Sequence, residues 1–321
     1  MKKIINKFAA FLLVCAVAVL PSASVWAAEA DQPEGVVEQD RVGDVAGSEG
    51  EVTEPITKED KPYLALGANL TEQQKATVLG LLGINPAELA DYDVIYITNE
   101  EEHQYLGQYV DASKIGTRSL SSVLVVKREQ GHGINITTKN ISYCTIGMYK
   151  NALITAGITD ADIIVAAPTQ ISGTAALVGA MKAYSVMTGE AVTEQSMDTA
   201  LNELVLTGDI AEKMGDSQKA EELIAYLKRE IVERDLSDEN EIREMIDETS
   251  REFDVYLSEE EVVQLTNLLK KIGDLDLDLE SITNQAEELY NKLSKIDAGG
   301  FFDKIAGFFR SIADFFRGLF S

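Results

Sequence analysis

Residues 162–167 read Asp-Ile-Ile-Val-Ala-Ala, a continuous apolar run bounded by Pro168. A run of that length without polar alternation suits a strand buried on both faces. The chain must therefore build a sheet with cover on each side. Pro168, which has no N–H to give to a ladder, is expected to stop the strand. After a short loop, Ser172-Gly173-Thr174-Ala175-Ala176-Leu177 opens a helix whose Gly and Ala residues permit close backbone approach.

The elements before it follow from capping and periodicity. Tyr63–Leu66 reads as a short strand. Thr71 with Gln74 forms a capping box, in which each side chain satisfies a free backbone N–H near the helix start. That helix is expected to end at Gly83. Tyr92–Thr98 alternates and is rich in β-formers, so it reads as a strand. Thr98 with Glu101 is a second capping box, opening a helix that ends near Gly107. Ser121–Glu129 and Ile134–Thr138 read as strands. Gln130-Gly131-His132-Gly133 between them predicts a hairpin with His132 at its tip, because two glycines supply positive φ. Thr145–Ala156 reads as a helix closed by Gly157. The order implies an α/β (α+β) fold: a mixed sheet of about five strands covered by helices, the hairpin supplying an antiparallel pair.

Composition divides the rest. Residues 1–27 show a basic start (Lys2, Lys3, Lys7), the apolar run Phe8–Leu20 and a small-residue site at Val25 and Ala27. This is the layout of a signal peptide cleaved after Ala27. It predicts a secreted, extracellular or cell-envelope protein. No later apolar run is long enough for a transmembrane helix, so none is expected in the mature chain. Residues 28–60 hold eleven acids against two basic residues, without sustained periodicity. They read as a disordered acidic arm. Residues 61–190 read as the mixed α/β domain and 191–298 as an acidic helical region packing on it. From Glu190 to Gly300 the chain has thirty acids and eleven basic residues. Ser258 with Glu261 is a third capping box there. The net charge of −26 argues against nucleic acid as a partner. Cleavage would leave Cys144 as the lone thiol, precluding an intrachain disulfide; core filling is its expected role.

The segments LGANLTEQQ, TNEEEHQYLG, IGTRSLSS, GINITTKNISY, MYKNALITAGITDA and AAPTQISGTAALVGAMKAY occur in one order. Together they resemble the YpuA-like family of secreted bacterial proteins, a domain of unknown function called DUF1002. The resemblance covers about residues 61–295, and its block Met148–Tyr184 is specific. It implies an exported protein of Gram-positive type and implies no activity, so no catalytic residues carry over.

Ser172, Gly173 and Thr174 stand near a helix N-terminus, where free N–H groups and the helix dipole can hold an anion. Arg118 in IGTRS could add a countercharge. These four are the candidate ligand-binding residues. Neither GxGxxG nor a P-loop is present, and without a G-x-S-x-G elbow no catalytic residues are expected. Asp274-Leu275-Asp276-Leu277-Asp278-Leu279-Glu280 lacks the Gly and Glu of an EF-hand loop. It reads as an exposed connection with Leu anchoring inward. No metal or cofactor is expected.

The last segment, 299–321, repeats Phe-Phe every seven residues. Phe301, Phe308 and Phe315, then Phe302, Phe309 and Phe316, then Ile305, Ile312 and Leu319 fall within an arc of roughly 140° on a helix. Such an amphipathic face suits a membrane surface or an envelope protein partner, the alternative being a helix that folds back onto an apolar groove of its own protein. The sequence thus predicts a non-catalytic, exported interaction protein. The alternative is a hydrolase acting on an envelope polymer or peptide, with a site near the 168–174 loop.

Overall fold

The computed structural model describes residues 51–189 and 191–294. The expected signal peptide of residues 1–27, most of the expected acidic arm 28–60 and the Phe-rich segment 299–321 lie outside the described residues.

Two strand–helix–strand units set up the sheet. β1 (Tyr63–Gly67), α1 (Glu72–Leu82) and β2 (Asp93–Ile97) form the first; β4 (Ile134–Ile141), α4 (Ile146–Thr155) and β5 (Ala161–Ile171) form the second. In each unit the strands are parallel neighbours, Tyr63 opposite Asp93 and Ile134 opposite Ala161, as a crossover helix allows. β3 (Ser122–Lys127) joins the units, antiparallel to β1 and β5, with Leu124 opposite both Leu64 and Ile164. The order β2-β1-β3-β5-β4 makes a mixed, five-stranded sheet.

The remaining helices are α2 (Asn99–Leu106), α3 (Ala112–Ile115), α5 (Thr174–Thr188), α6 (Glu194–Met214), α7 (Ser217–Glu233), α8 (Glu239–Glu252), α9 (Glu259–Gly273) and α10 (Leu279–Ser294). All three capping boxes form: Thr71 with Gln74, Thr98 with Glu101 and Ser258 with Glu261 start α1, α2 and α9.

The alternation of strand side chains sorts two cores. Ala65, Val123, Val125, Ile163 and Val165 face α4, α5 and α6. Leu64, Leu66, Leu124, Val126 and Ile164 face α1, which contributes Val78, Leu79 and Leu82. Each fully buried aliphatic side chain contributes about 1.5–3 kcal/mol, so both faces hold the central strands in place. A third core, built by α7, α8 and α9, takes in Leu206 and Ile210 from the C-terminal half of α6. The N-terminal half of α6 belongs to the sheet core through Met197, Leu201 and Leu204. This one helix therefore fastens the acidic helical region to the sheet. In the α9–α10 connection the aspartates are exposed, while Leu277 packs against both the sheet core and the helical core.

Three expectations need correction. β3 and β4 do not form a hairpin; β5 lies between them. Gly131 and Gly133 do take positive φ, 85° and 78°. A turn signal says that the chain reverses, not which strand it pairs with, and β5, apolar on both faces, takes the covered position. His132 is exposed at that link, yet its Nε2 lies 2.8 Å from Asp162 Oδ1. Pro168 does not stop β5, which runs on to Ile171. β4 is irregular opposite it, between Lys139 and Ile141, and Asn140 there (φ 60°) donates through Nδ2 to the Ala167 carbonyl at 2.9 Å. Bulges are where a strand accommodates proline. Finally, the end of the acidic arm is folded. Ile56 is 6% exposed, and the Glu51 N–H donates to the Ile136 carbonyl at 3.1 Å along the outer edge of β4.

Candidate functional site

A cavity of about 390 Å³ opens where four pieces of chain converge. The α2–α3 connection gives Gln108, Tyr109 and Asp111; the segment between β4 and α4 gives Tyr143. The β5–α5 loop gives Ser172 and Thr174, and α6 gives Val205 and Asp209. The volume is at the small end of the roughly 300–1,000 Å³ typical of small-molecule sites.

The β5–α5 loop is pinned from below. Gly173 sits at φ 94°, and a Cβ there would meet the Tyr149 hydroxyl at 2.5 Å and Ile141 Cγ2 at 2.7 Å. That Tyr149 hydroxyl donates to the Gly173 carbonyl at 2.7 Å, and the Cys144 N–H donates to the Ser172 carbonyl at 3.0 Å. Only glycine meets both the left-handed backbone and the lack of space. Gly173→Ala is expected to destabilise by more than the ~1–2 kcal/mol of backbone strain alone. Thermal melting checks this, with Gly189→Ala, where no atom stands in the way of a Cβ, as the control that carries strain only.

Behind the loop lies Glu102, 3% exposed. Thr174 Oγ1 donates to its Oε1 at 3.2 Å, and Ser172 Oγ lies 3.4 Å from Thr174 Oγ1. Glu102 Oε2 has no hydrogen-bond partner among the described residues. Burial pushes this carboxyl up to about 7. An acidic side chain thus already occupies the approach to the α5 N-terminus, and Ser121 Oγ accepts the Ala176 N–H at 3.0 Å. The helix start itself is capped by Gly173, without a side-chain bond.

Of the sequence candidates, Ser172 and Thr174 line the cavity, and Gly173 lies buried between them. Arg118 does not join them: its Nη2 donates to the Asn69 carbonyl at 3.4 Å and to Gln74 Oε1 at 3.3 Å, beside the start of α1. Glu102, Tyr143 and Asp209 were not singled out from sequence. For Glu102 a signal existed, since it stands four residues before Leu106 on the buried face of α2. Tyr143 packs its ring over Gly208, where a Cβ would fall 2.0 Å from the hydroxyl. Burial pushes the Tyr143 hydroxyl up strongly and the Cys144 thiol up to about 12. Cys144 is buried and protonated at neutral pH, consistent with core filling.

At the cavity rim, Tyr109 donates to Asp198 Oδ1 at 2.6 Å. Lys271 Nζ donates to the Tyr109 hydroxyl at 2.9 Å and to Asp198 Oδ2 at 3.0 Å. Elsewhere, Asp162 gathers Arg128 Nε at 2.6 Å and Asn135 Nδ2 at 3.0 Å beside His132. This cluster ties the β3–β4 link to β5. Among the described residues no group of three or more His, Cys, Asp or Glu is arranged to hold a metal ion. No described helix is long and apolar enough to cross a membrane.

A model of the family described as a protein of unknown function (DUF1002) matches residues 66–289, a stretch that contains every residue named at the cavity. The uncharacterized protein YpuA of Bacillus subtilis (strain 168) is 36% identical over 233 residues, spanning 72% of this chain and 79% of that protein. No solved structure matches the chain.

Proposed function

The chain belongs to the DUF1002 family, and from that premise we propose that it is an exported binding protein of the cell envelope that takes a small ligand at the Ser172–Thr174 wall. The observation that carries this reading is the cavity, formed by four separate pieces of chain and backed by a buried carboxyl. Convergence of polar groups in a concavity is the usual mark of a ligand site. Export is supported by the three-part leader of residues 1–27. The test uses Ala112→Trp, which adds bulk at an exposed lining residue and leaves the core alone. Native mass spectrometry of the mature protein, incubated with a small-molecule extract of bacterial envelopes, should show discrete bound masses. The variant should lose them. Identical spectra for the two proteins would reject the cavity as the site.

The Phe-rich segment 299–321 gives the protein its second point of attachment, to a membrane surface or envelope partner. Its basis is sequence: nine apolar positions on one arc, with net charge too small to bind anionic lipid by attraction alone. The mature protein should co-sediment with vesicles of mixed neutral and anionic lipid, with little weakening by salt. Phe308→Asp with Phe315→Asp should abolish this without changing the melting of the folded domain. Early melting of the double variant would instead assign the segment to the core.

A hydrolase acting on an envelope polymer or peptide is the second reading. One observation favours it: the Ser172 hydroxyl lines the cavity and is linked through Thr174 to Glu102. Labelling of Ser172 by a fluorophosphonate would support it. Ligand retention without labelling supports the binding protein.

A further inference from the structure

We propose that a proton on the Glu102 carboxyl sets the arrangement of the β5–α5 loop, so that the Ser172–Thr174 wall of the cavity is a pH-sensitive switch. The switch stands whether or not a ligand binds at that wall. Glu102 lies on α2, 3% exposed, and the Thr174 hydroxyl at the start of α5 donates to its Oε1 at 3.2 Å. Its Oε2 is buried without a hydrogen-bond partner among the described residues. The Ser119 hydroxyl, in the segment leading to β3, is buried in the same state. Thr174, Asn99 and Ser119 are near enough to favour the charged form, yet together they do not outweigh burial. Thr174 lines the cavity, so it forms the layer between this carboxyl and the concavity.

The groups around Glu102 leave its charge without an opposite. On α2 itself, Glu101 pairs with Lys182 of α5, and His103 Nε2 lies 2.9 Å from the Gly116 carbonyl. Across the packing, Cys144 and Tyr149 of α4 and the segment before it are buried, and the field of Glu102 raises both. On α6, Glu203 is bound to Lys228 and Asp198 to Tyr109 and Lys271. Asp111 and Asp209 stand on the cavity side. No cation is among the described groups that act on Glu102. Protonated, the carboxyl is neutral, and one accepted bond suffices. Ionised, it is a buried charge with one donor, whereas a carboxylate offers about four acceptor positions. The added donors must be water or re-aimed hydroxyls, and both come from the cavity side. The loop is built to yield there. Ser172 Oγ and Thr174 Oγ1 are 3.4 Å apart, and the α5 start carries no side-chain cap. Gly173 stays pinned by the Tyr149 hydroxyl, so the change is confined to the two hydroxyl residues and the amides beside them.

Amide NMR of the isotopically labelled mature protein, recorded across pH at constant salt and without added ligand, tests the switch. Amides of residues 172–176 and 119–121 should titrate together with a midpoint of about 7. The ordinary glutamate value is about 4.3. Glu102→Gln should remove this step. Glu222→Gln, which changes a buried acid on α7, should leave it in place. Thr174→Val should raise the midpoint, because the bond it removes favours the charged carboxyl. Amides that do not move, a midpoint in the ordinary glutamate range, or a step that survives Glu102→Gln would each overturn the proposal. Loss of the step in Glu222→Gln would also overturn it, since the titration would then belong to the whole fold. Should Glu102→Gln not fold, Thr174→Val decides: an unchanged or lowered midpoint rejects the switch. Retention from envelope extracts is a separate result, and its failure rejects the cavity as a ligand site while leaving this titration intact.

Discussion

Glu203→Ala should cost about 3–5 kcal/mol, the range for stripping one partner from a buried ion pair. Glu203 and Lys228 have no exposed side-chain surface, and Lys228 Nζ meets Glu203 Oε1 at 2.8 Å. The ammonium also donates to the Asn151 carbonyl at 2.8 Å and to Thr155 Oγ1 at 3.2 Å. Thr155 in turn donates to the second oxygen of Glu203. Gln285 Nε2 adds α10 by donating to Asn151 Oδ1 at 2.8 Å. One connected network therefore pins α4, α6, α7 and α10 together. Burial pushes Glu203 up and Lys228 down, and their mutual attraction opposes both shifts. Removing Glu203 leaves an ammonium that must lose its proton or stay charged in an apolar core. With whole domains stable by only about 5–15 kcal/mol, that is a large fraction. Urea unfolding checks the figure. Glu203→Met combined with Lys228→Met should recover most of the loss, because no charge is then stranded. A double variant as unstable as the single one would show that the hydrogen bonds, not the charges, carry the effect.

A second large effect concerns pH. Burial, reinforced by Asp216, pushes the Glu222 carboxyl up to about 8, and burial pushes Glu102 up to about 7. Both oxygens of Glu222 have no hydrogen-bond partner among the described residues, and the residue is 1% exposed. A carboxyl raised on folding keeps its proton in the folded state after the unfolded chain has lost it. Stability is then highest below the ordinary glutamate value and falls as pH rises through about 7 to 8. At about 1.4 kcal/mol per pKa unit, each group removes on the order of 3–5 kcal/mol by mildly alkaline pH. Other carboxyls oppose this at the acid end. Asp60 is lowered, by the Thr57 N–H and then by Arg128. Asp162 is lowered because bonds from His132, Asn135 and Arg128 outweigh its burial. Their stabilisation is present above the ordinary aspartate value and is lost as pH falls through their lowered values. The melting temperature should therefore peak in mildly acidic buffer. Glu222→Gln should raise it clearly near pH 8.5 and hardly at all near pH 4.5. Equal gains at both pH values would show that the carboxyl is not protonated in the fold.

Features encoded locally were readable from sequence. Thr71, Thr98 and Ser258 each declare a helix start through a partner three residues on, and all three starts form. The apolar run at 162–167 declared a covered strand for the same reason: period and composition need no knowledge of neighbours. Pairing did need it. Gly131 and Gly133 mark a reversal, but β5 arrives from later in the chain to separate β3 from β4. Pro168 forbids one backbone bond, and the tolerance comes from Asn140, 28 residues earlier. The cavity shows the same division. Ser172 and Thr174 were visible as a strand–loop–helix junction. Asp209 was one acid among many on an acidic helix, and only the tertiary fold sets it opposite Tyr143. Arg118 carried the right charge for an anion site, but its loop packs it beside α1.

The central claim is that recognition occurs at the cavity between the α2–α3 connection, the β5–α5 loop and α6. Backbone amide NMR of the isotopically labelled mature protein, with and without the small molecules retained from envelope extract, tests it most directly. Perturbed amides should cluster at residues 106–112, 143–144, 172–176 and 205–209, and Ala112→Trp should erase them. Saturable perturbations centred elsewhere, such as the exposed edge of β2 around Tyr96 or the surface near Tyr256, would contradict the account.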